Sequence, residues 1–213
     1  AKRLLGTQMK ATGEVMAIES TIEAGLMKAV RSLELGIFNM ELPHFTKMDK
    51  AQIIKQLEIT DDERIFAVAE ALRKGVTINQ IHEITMIDTF FINKIQNLID
   101  MERSLAEGLD DEKYIKAKKM GFTDAVIERI SGNKIKNRIY ASYKQVDTCA
   151  AEFEAATLYY YYTFEKTSQH IISDRKKALV LGSEPIRIGQ CIEFDSCSVH
   201  SVWAVKEEVF YTI

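Results

Sequence analysis

From Ser20 to Tyr143 the chain repeats one local grammar: a side-chain oxygen, an apolar stripe at helical spacing, then a glycine. Ser20-Thr21-Ile22-Glu23 has the form of a capping box, in which hydroxyl and carboxylate reciprocally satisfy the first free backbone N–H groups of a helix. Behind it Ile22, Leu26, Val30 and Leu33 recur on one face, and Gly36 can supply a left-handed stop. Thr60-Asp61-Asp62-Glu63 repeats the pattern, with Ile65, Phe66, Ala69 and Leu72 as the stripe and Gly75 as the stop. Thr77-Ile78-Asn79-Gln80 opens a short helix, and Asp88 caps a longer one carrying Phe91, Ile95, Leu98 and Ile99. Asp110 starts a helix ending at Gly121, Thr123 starts one ending at Gly132, and Asn133 starts the last. Strand propensity dominates nowhere in this stretch. The expected fold is mainly α, a compact multi-helix domain.

The segment KQVDTCAAEFEAATLYYYYTFEKTSQ, Lys144 to Gln169, breaks that grammar. It has no clean period of either kind, yet it is too aromatic for a disordered linker. A run such as Tyr159-Tyr160-Tyr161-Tyr162 is expected to lie in a groove of something larger, as an extended connector. Beyond it Lys177 to Leu181 reads as a buried strand, Gly182 to Gly189 as a turn, Ile192 to Glu208 as a helix and Val209 to Ile213 as a second strand. That is the opening of a βαβ unit, too small to form a stable parallel sheet. Thr12-Gly13-Glu14-Val15-Met16 looks like the tail of an element whose partners are missing. The expectation is a piece of a larger enzyme, open at both ends.

Bulk properties narrow the function classes. With 213 residues, 46% hydrophobic and 28% charged, the chain has the make-up of an ordinary globular protein. A net charge of -3 and a pI near 5.9 argue against a dedicated nucleic-acid binder. No run approaches the roughly 18 apolar residues of a membrane span, and the start, Ala1 to Gly6, has no signal-peptide core. Cys149, Cys191 and Cys197 are odd in number and form no CxxC pair, which fits a reducing, cytoplasmic setting.

The local motifs that suggest chemistry are incomplete. His82-Glu83 matches half of HExxH, but Met86 stands where the second zinc ligand would be, so a surface polar pair is expected. Gly182-Ser183-Glu184-Pro185 follows a strand as a phosphate turn does, yet Glu184 would repel a phosphate and Gly189 comes too late for GxGxxG. Lys113, Lys116, Lys118, Lys119, Lys134, Lys136 and Arg138 make a basic region, read as a solvated helix face. Cys149 beside Ala150 and Ala151 reads as a packed thiol.

Three blocks carry a family resemblance: QMKATGEVMAIE (Gln8 to Glu19), YKQVDTCAAEFEAATLYYYYTFE (Tyr143 to Glu165) and VLGSEPIRIGQCIEFDSCSVHSVWAV (Val180 to Val205). In that order they resemble the large chain of carbamoyl-phosphate synthase around the junction of its two homologous halves. DDERIFAVAEALRKG and IHEITMIDTFFINKI resemble that family's oligomerisation domain. The resemblance implies residues 1–36 as the end of the first ATP-grasp unit and 37–143 as the helical oligomerisation domain. Residues 144–174 become the connector, and 175–213 the truncated start of the second-half pre-ATP-grasp, Rossmann-like domain.

For the parent enzyme the resemblance implies an ATP-dependent ligase that makes carbamoyl phosphate from bicarbonate, glutamine-derived ammonia and two ATP, for pyrimidine and arginine synthesis. It implies ATP and Mg²⁺ as the parent's cofactors, a glutaminase small chain as its partner, and a homo-oligomer through the helical domain. This stretch is expected to hold no cofactor and no catalytic residue, and to bind neither nucleic acid nor membrane. The alternative reading is a free-standing helical interaction module without catalysis. Glu14 and Glu193 are implied to line the internal carbamate passage, with Cys191 beside it; the plain alternative for Glu193 is a carboxylate at a helix N-terminus. The family has glycine where this chain has Glu19, Glu184 and Cys191, and tyrosine at Ser196. Cysteine in place of the glycine at position 191 is expected to narrow the passage and uncouple the two half-reactions.

Overall fold

The computed structural model describes residues 3–8, 10, 15–33, 35–154, 159–169, 174, 176–181, 191–208 and 211–212. These form two compact units, one of residues 1–8 and 16–169, the other of residues 9–15 and 170–213.

The first unit contains α1 (Ile22–Ser32), α2 (Pro43–Thr46), α3 (Lys50–Leu57), α4 (Arg64–Arg73), α5 (Ile78–Thr85), α6 (Thr89–Ala106), α7 (Asp111–Lys119) and α8 (Asp124–Ser131). A short ribbon follows, β1 (Ser142–Gln145) and β2 (Tyr160–Thr163). The core forms around α4 and α6. Every residue of α4 from Phe66 to Leu72 is buried, and three of its alanines let neighbouring helices approach closely. α6 buries Ile92, Ile95, Leu98, Ile99 and Leu105, with α1, α4, α5, α7 and α8 packed against it. Burying a side chain of this size stabilises by about 1.5–3 kcal/mol, so this helix holds the unit together.

Local chemistry explains most of the boundaries. Thr77 and Gln80 form the expected capping box, and Asp49 and Gln52 form a second. Asp88, Asp110 and Thr123 accept hydrogen bonds from Phe90 N, Lys113 N and Val126 N. Pro43 begins α2, where its missing N–H costs nothing. After α7, Gly121 adopts φ +90°, while its N–H and that of Phe122 return to the carbonyls of Lys118 and Ala117.

Three expected starts differ. Ser20 is not the cap of α1: Thr21 accepts from Ala24 N, and Glu23 turns to Asn97 and Lys94 instead. Thr60 caps nothing, because Asp61 accepts from Glu63 N and delays α4 to Arg64. No helix follows Asn133: its N–H donates to Ser131 Oγ, and Glu128 captures Ile135 N, so the chain turns away. Gly36, at φ +68°, turns the chain only beyond the end of α1.

The connector contains structure that its composition hid. β1 and β2 pair antiparallel, Ser142 opposite Thr163 and Gln145 opposite Tyr160. The outer edge of β1 is covered by its own chain, with Gln169 N donating to Tyr143 O and Tyr143 N to Ser168 Oγ.

In the second unit β3 (Lys177–Ala178) pairs in parallel with β4 (Tyr211–Thr212), and α9 (Cys191–Glu207) lies between them in sequence. This is the expected strand–helix–strand order, with the helix packed on β4. The fold is mainly α, a helical unit followed by the start of an α/β unit.

Candidate functional site

Of the residues implied to line the carbamate passage, only the backbone of Cys191 and Glu193 falls among the described residues. Glu14 and Glu184 lie outside them, as does the rest of the Gly182–Gly189 turn. Cys191 and Glu193 fall in the first turn of α9, where only the backbone is described, and Ser196 is exposed on the same helix.

Three places in the helical unit concentrate polar or exposed apolar chemistry. The first joins α4 and α6. Arg73 donates through Nε to Glu102 Oε2 at 2.7 Å, through Nη2 to Glu102 Oε1 at 2.9 Å and through Nη1 to Glu70 Oε2 at 3.0 Å. Asn39 donates to Glu41 and Glu102, and Arg129 to Glu41. Burial works against the Arg73 charge, yet the Glu102 and Glu70 carboxylates overcome it and hold its pKa above the ordinary value. A cavity of about 310 Å³ opens beside Arg73, Glu102 and Ile130. Because these charges already answer one another, the network works as an internal brace.

The second place lies where the chain enters and leaves the helices. Lys28 Nζ donates to Ile18 O at 2.9 Å and Tyr162 O at 3.0 Å, pairs with Glu19 Oε1 at 2.8 Å, and stands 4.0 Å from the centre of the Tyr162 ring. One turn on, Arg31 donates to Gly121 O and to the Tyr162 hydroxyl. Lys118 sits over the Phe164 ring at 4.3 Å while pairing with Asp124. Tyr162 is thus seated on cations from α1, and Phe164 just after the run on one from α7. Sequence reasoning missed Lys28 and Arg31; the available signal was a pair of cations one turn apart, on a helix distant from an aromatic run.

The third place is the start of α6. Phe90 and Phe91 are about half exposed and meet edge to face at 5.3 Å, with Lys94 Nζ 5.4 Å from the Phe90 ring centre. Met86, 75% exposed, adopts the left-handed conformation just before them.

The incomplete motifs resolve into local roles. His82 Nδ1 donates to Ile87 O at 2.8 Å and closes the turn after α5, while Glu83 is exposed. Among the described residues no group of three His, Cys, Asp or Glu comes together to hold a metal. In the basic region Lys113 donates to the Ser104 and Gly108 carbonyls, Lys119 pairs with Glu165, Lys134 with Glu128, and Arg138 with Asp124. Cys149 is half-buried, its N–H held by Asp147. No helix among the described residues is long and apolar enough to cross a membrane.

A braced array of short helices leading into a parallel strand–helix–strand defines a helical scaffold domain joined to the beginning of an α/β domain. Residues 14–146 match the model of the carbamoyl-phosphate synthetase large chain oligomerisation domain. Residues 174–213 match that of the carbamoyl phosphate synthase preATP-grasp domain. The chain belongs to the carbamoyl-phosphate synthetase large chain family.

Proposed function

We propose that this chain is the scaffold and junction portion of a large chain that makes carbamoyl phosphate from bicarbonate, glutamine-derived ammonia and two ATP. The order of the two family matches, oligomerisation domain and then preATP-grasp domain, carries the reading. The parent acts in the cytoplasm, uses ATP and Mg²⁺, pairs with a glutaminase small chain and serves pyrimidine and arginine biosynthesis. Within it Glu14, Cys191 and Glu193 border the carbamate passage. The helical unit provides self-association, for which Phe90 and Phe91 offer an apolar face.

This portion performs no phosphoryl transfer alone, because that chemistry depends on positioned metals and cationic clamps supplied by complete ATP-grasp units. Purified chain given ATP, Mg²⁺, bicarbonate and ammonia is expected to form no carbamoyl phosphate; product would overturn the assignment. Grafting residues 14–146 over the matching segment of an intact family member tests the positive half. Retained synthesis is expected, and a folded but inactive graft would count against the reading.

A further inference from the structure

We infer that Lys28 is a positioning residue that clasps the segment entering the helical unit to the ribbon leaving it, so that the two loosen together. The entering segment is Met16–Ser20 and the leaving one is β2 with its continuation to Glu165. One ammonium group reaches both: Ile18 O on one side and Tyr162 O on the other, across 134 residues of sequence. An ammonium has three N–H donors, and Ile18 O, Tyr162 O and Glu19 Oε1 account for all three. Its side chain is only 14% exposed and that of Glu19 only 7%. Charge-assisted bonds of this kind are stronger than neutral ones, and sheltering from water raises their weight.

The Tyr162 ring adds a fourth contact on the same cation. Arg31, bonded to the Tyr162 hydroxyl and the Gly121 carbonyl, fixes the ring at its hydroxyl end. Glu19 therefore has a role in this chain: it is the carboxylate that completes the clasp. Among the described residues neither segment makes a charged bond to α4 or α6; β1 and, through Lys118 and Lys119, α7 also hold the leaving segment, so α1 is the element the two share.

Hydrogen–deuterium exchange with limited proteolysis on the full chain tests it. Lys28→Met keeps the aliphatic stem and removes the donors. Amide exchange in the paired strand Tyr160–Thr163 and cleavage by a nonspecific protease within Met16–Ser20 are each expected to quicken at least about tenfold, while the α6 amides stay protected. Glu19→Gly removes one arm and is expected to loosen the same two segments by a smaller factor, about threefold. Loosening of one segment alone, or of neither, overturns the clasp. Should Lys28→Met also expose α6, Glu19→Gly decides by the same criterion.

Discussion

The Arg73 guanidinium and the Glu102 carboxylate meet edge to edge, two nitrogens on two oxygens at 2.7 and 2.9 Å, and tie α4 to α6. Each side chain is less than a fifth exposed, so losing either partner strands a desolvated charge. Glu102→Ala is expected to lower stability by roughly 3 kcal/mol in urea denaturation, while Arg73→Met with Glu102→Leu costs clearly less. Equal losses in the two variants would show that the pair is not what the brace depends on.

Gly121, in the turn after α7, lies against α1. A Cβ there would stand 2.9 Å from Met27 Cβ and 3.1 Å from Ala24 Cα, in a backbone at φ +90°. Gly132, at φ +69°, has open space around it. Gly132→Ala should cost about 1 kcal/mol for the left-handed backbone, and Gly121→Ala about 2–3 kcal/mol. Thermal melts of the two variants measure the difference, and identical melting points would remove the close approach from the account.

Glu23 and Glu41 give the helical unit an acid sensitivity. Burial alone would raise both carboxyl pKa values; hydrogen bonds from Asn97 and Lys94 to Glu23, and from Asn39 and Arg129 to Glu41, hold them below the ordinary range. A depressed folded pKa contributes stability that is complete above the unfolded value of about 4.3 and lost as pH falls through the folded value. The melting temperature should therefore hold near neutrality and drop below about pH 4.3. Glu23→Gln with Glu41→Gln should start lower and fall less steeply, and a parallel curve would contradict the assignment.

Self-association has a single-helix test. Phe90 and Phe91 are exposed at the start of α6, whereas Phe66 is buried on α4. Phe90→Ser with Phe91→Ser should reduce the sedimentation coefficient to that of one chain without lowering the melting point. An unchanged oligomer would move the interface elsewhere.

The Thr77 box was legible because every atom it needs lies within four residues, and Thr77→Ala should cost about 1 kcal/mol in thermal denaturation. Thr60 misled because Asp61, one residue away, competes for the same N–H groups. The ribbon was illegible for a different reason: Tyr143 finds Tyr162 across eighteen intervening positions, beyond any local period. Of the site, the passage residues came from family resemblance alone. The Lys28 cluster was hidden because its members belong to three separate stretches.

The ribbon sends the outgoing chain back to where the incoming chain arrived, with Ile18 and Tyr162 on the same nitrogen. The intervening helices are in effect a detour: they begin and end at nearly one point. Helices inside such a detour can be lengthened, trimmed or exchanged without altering the gap between its two ends. The gap between the two ends is therefore expected to be insensitive to changes of length far from α1 and sensitive to changes beside it, since one lysine side chain sets the span and the size of the helical array does not enter.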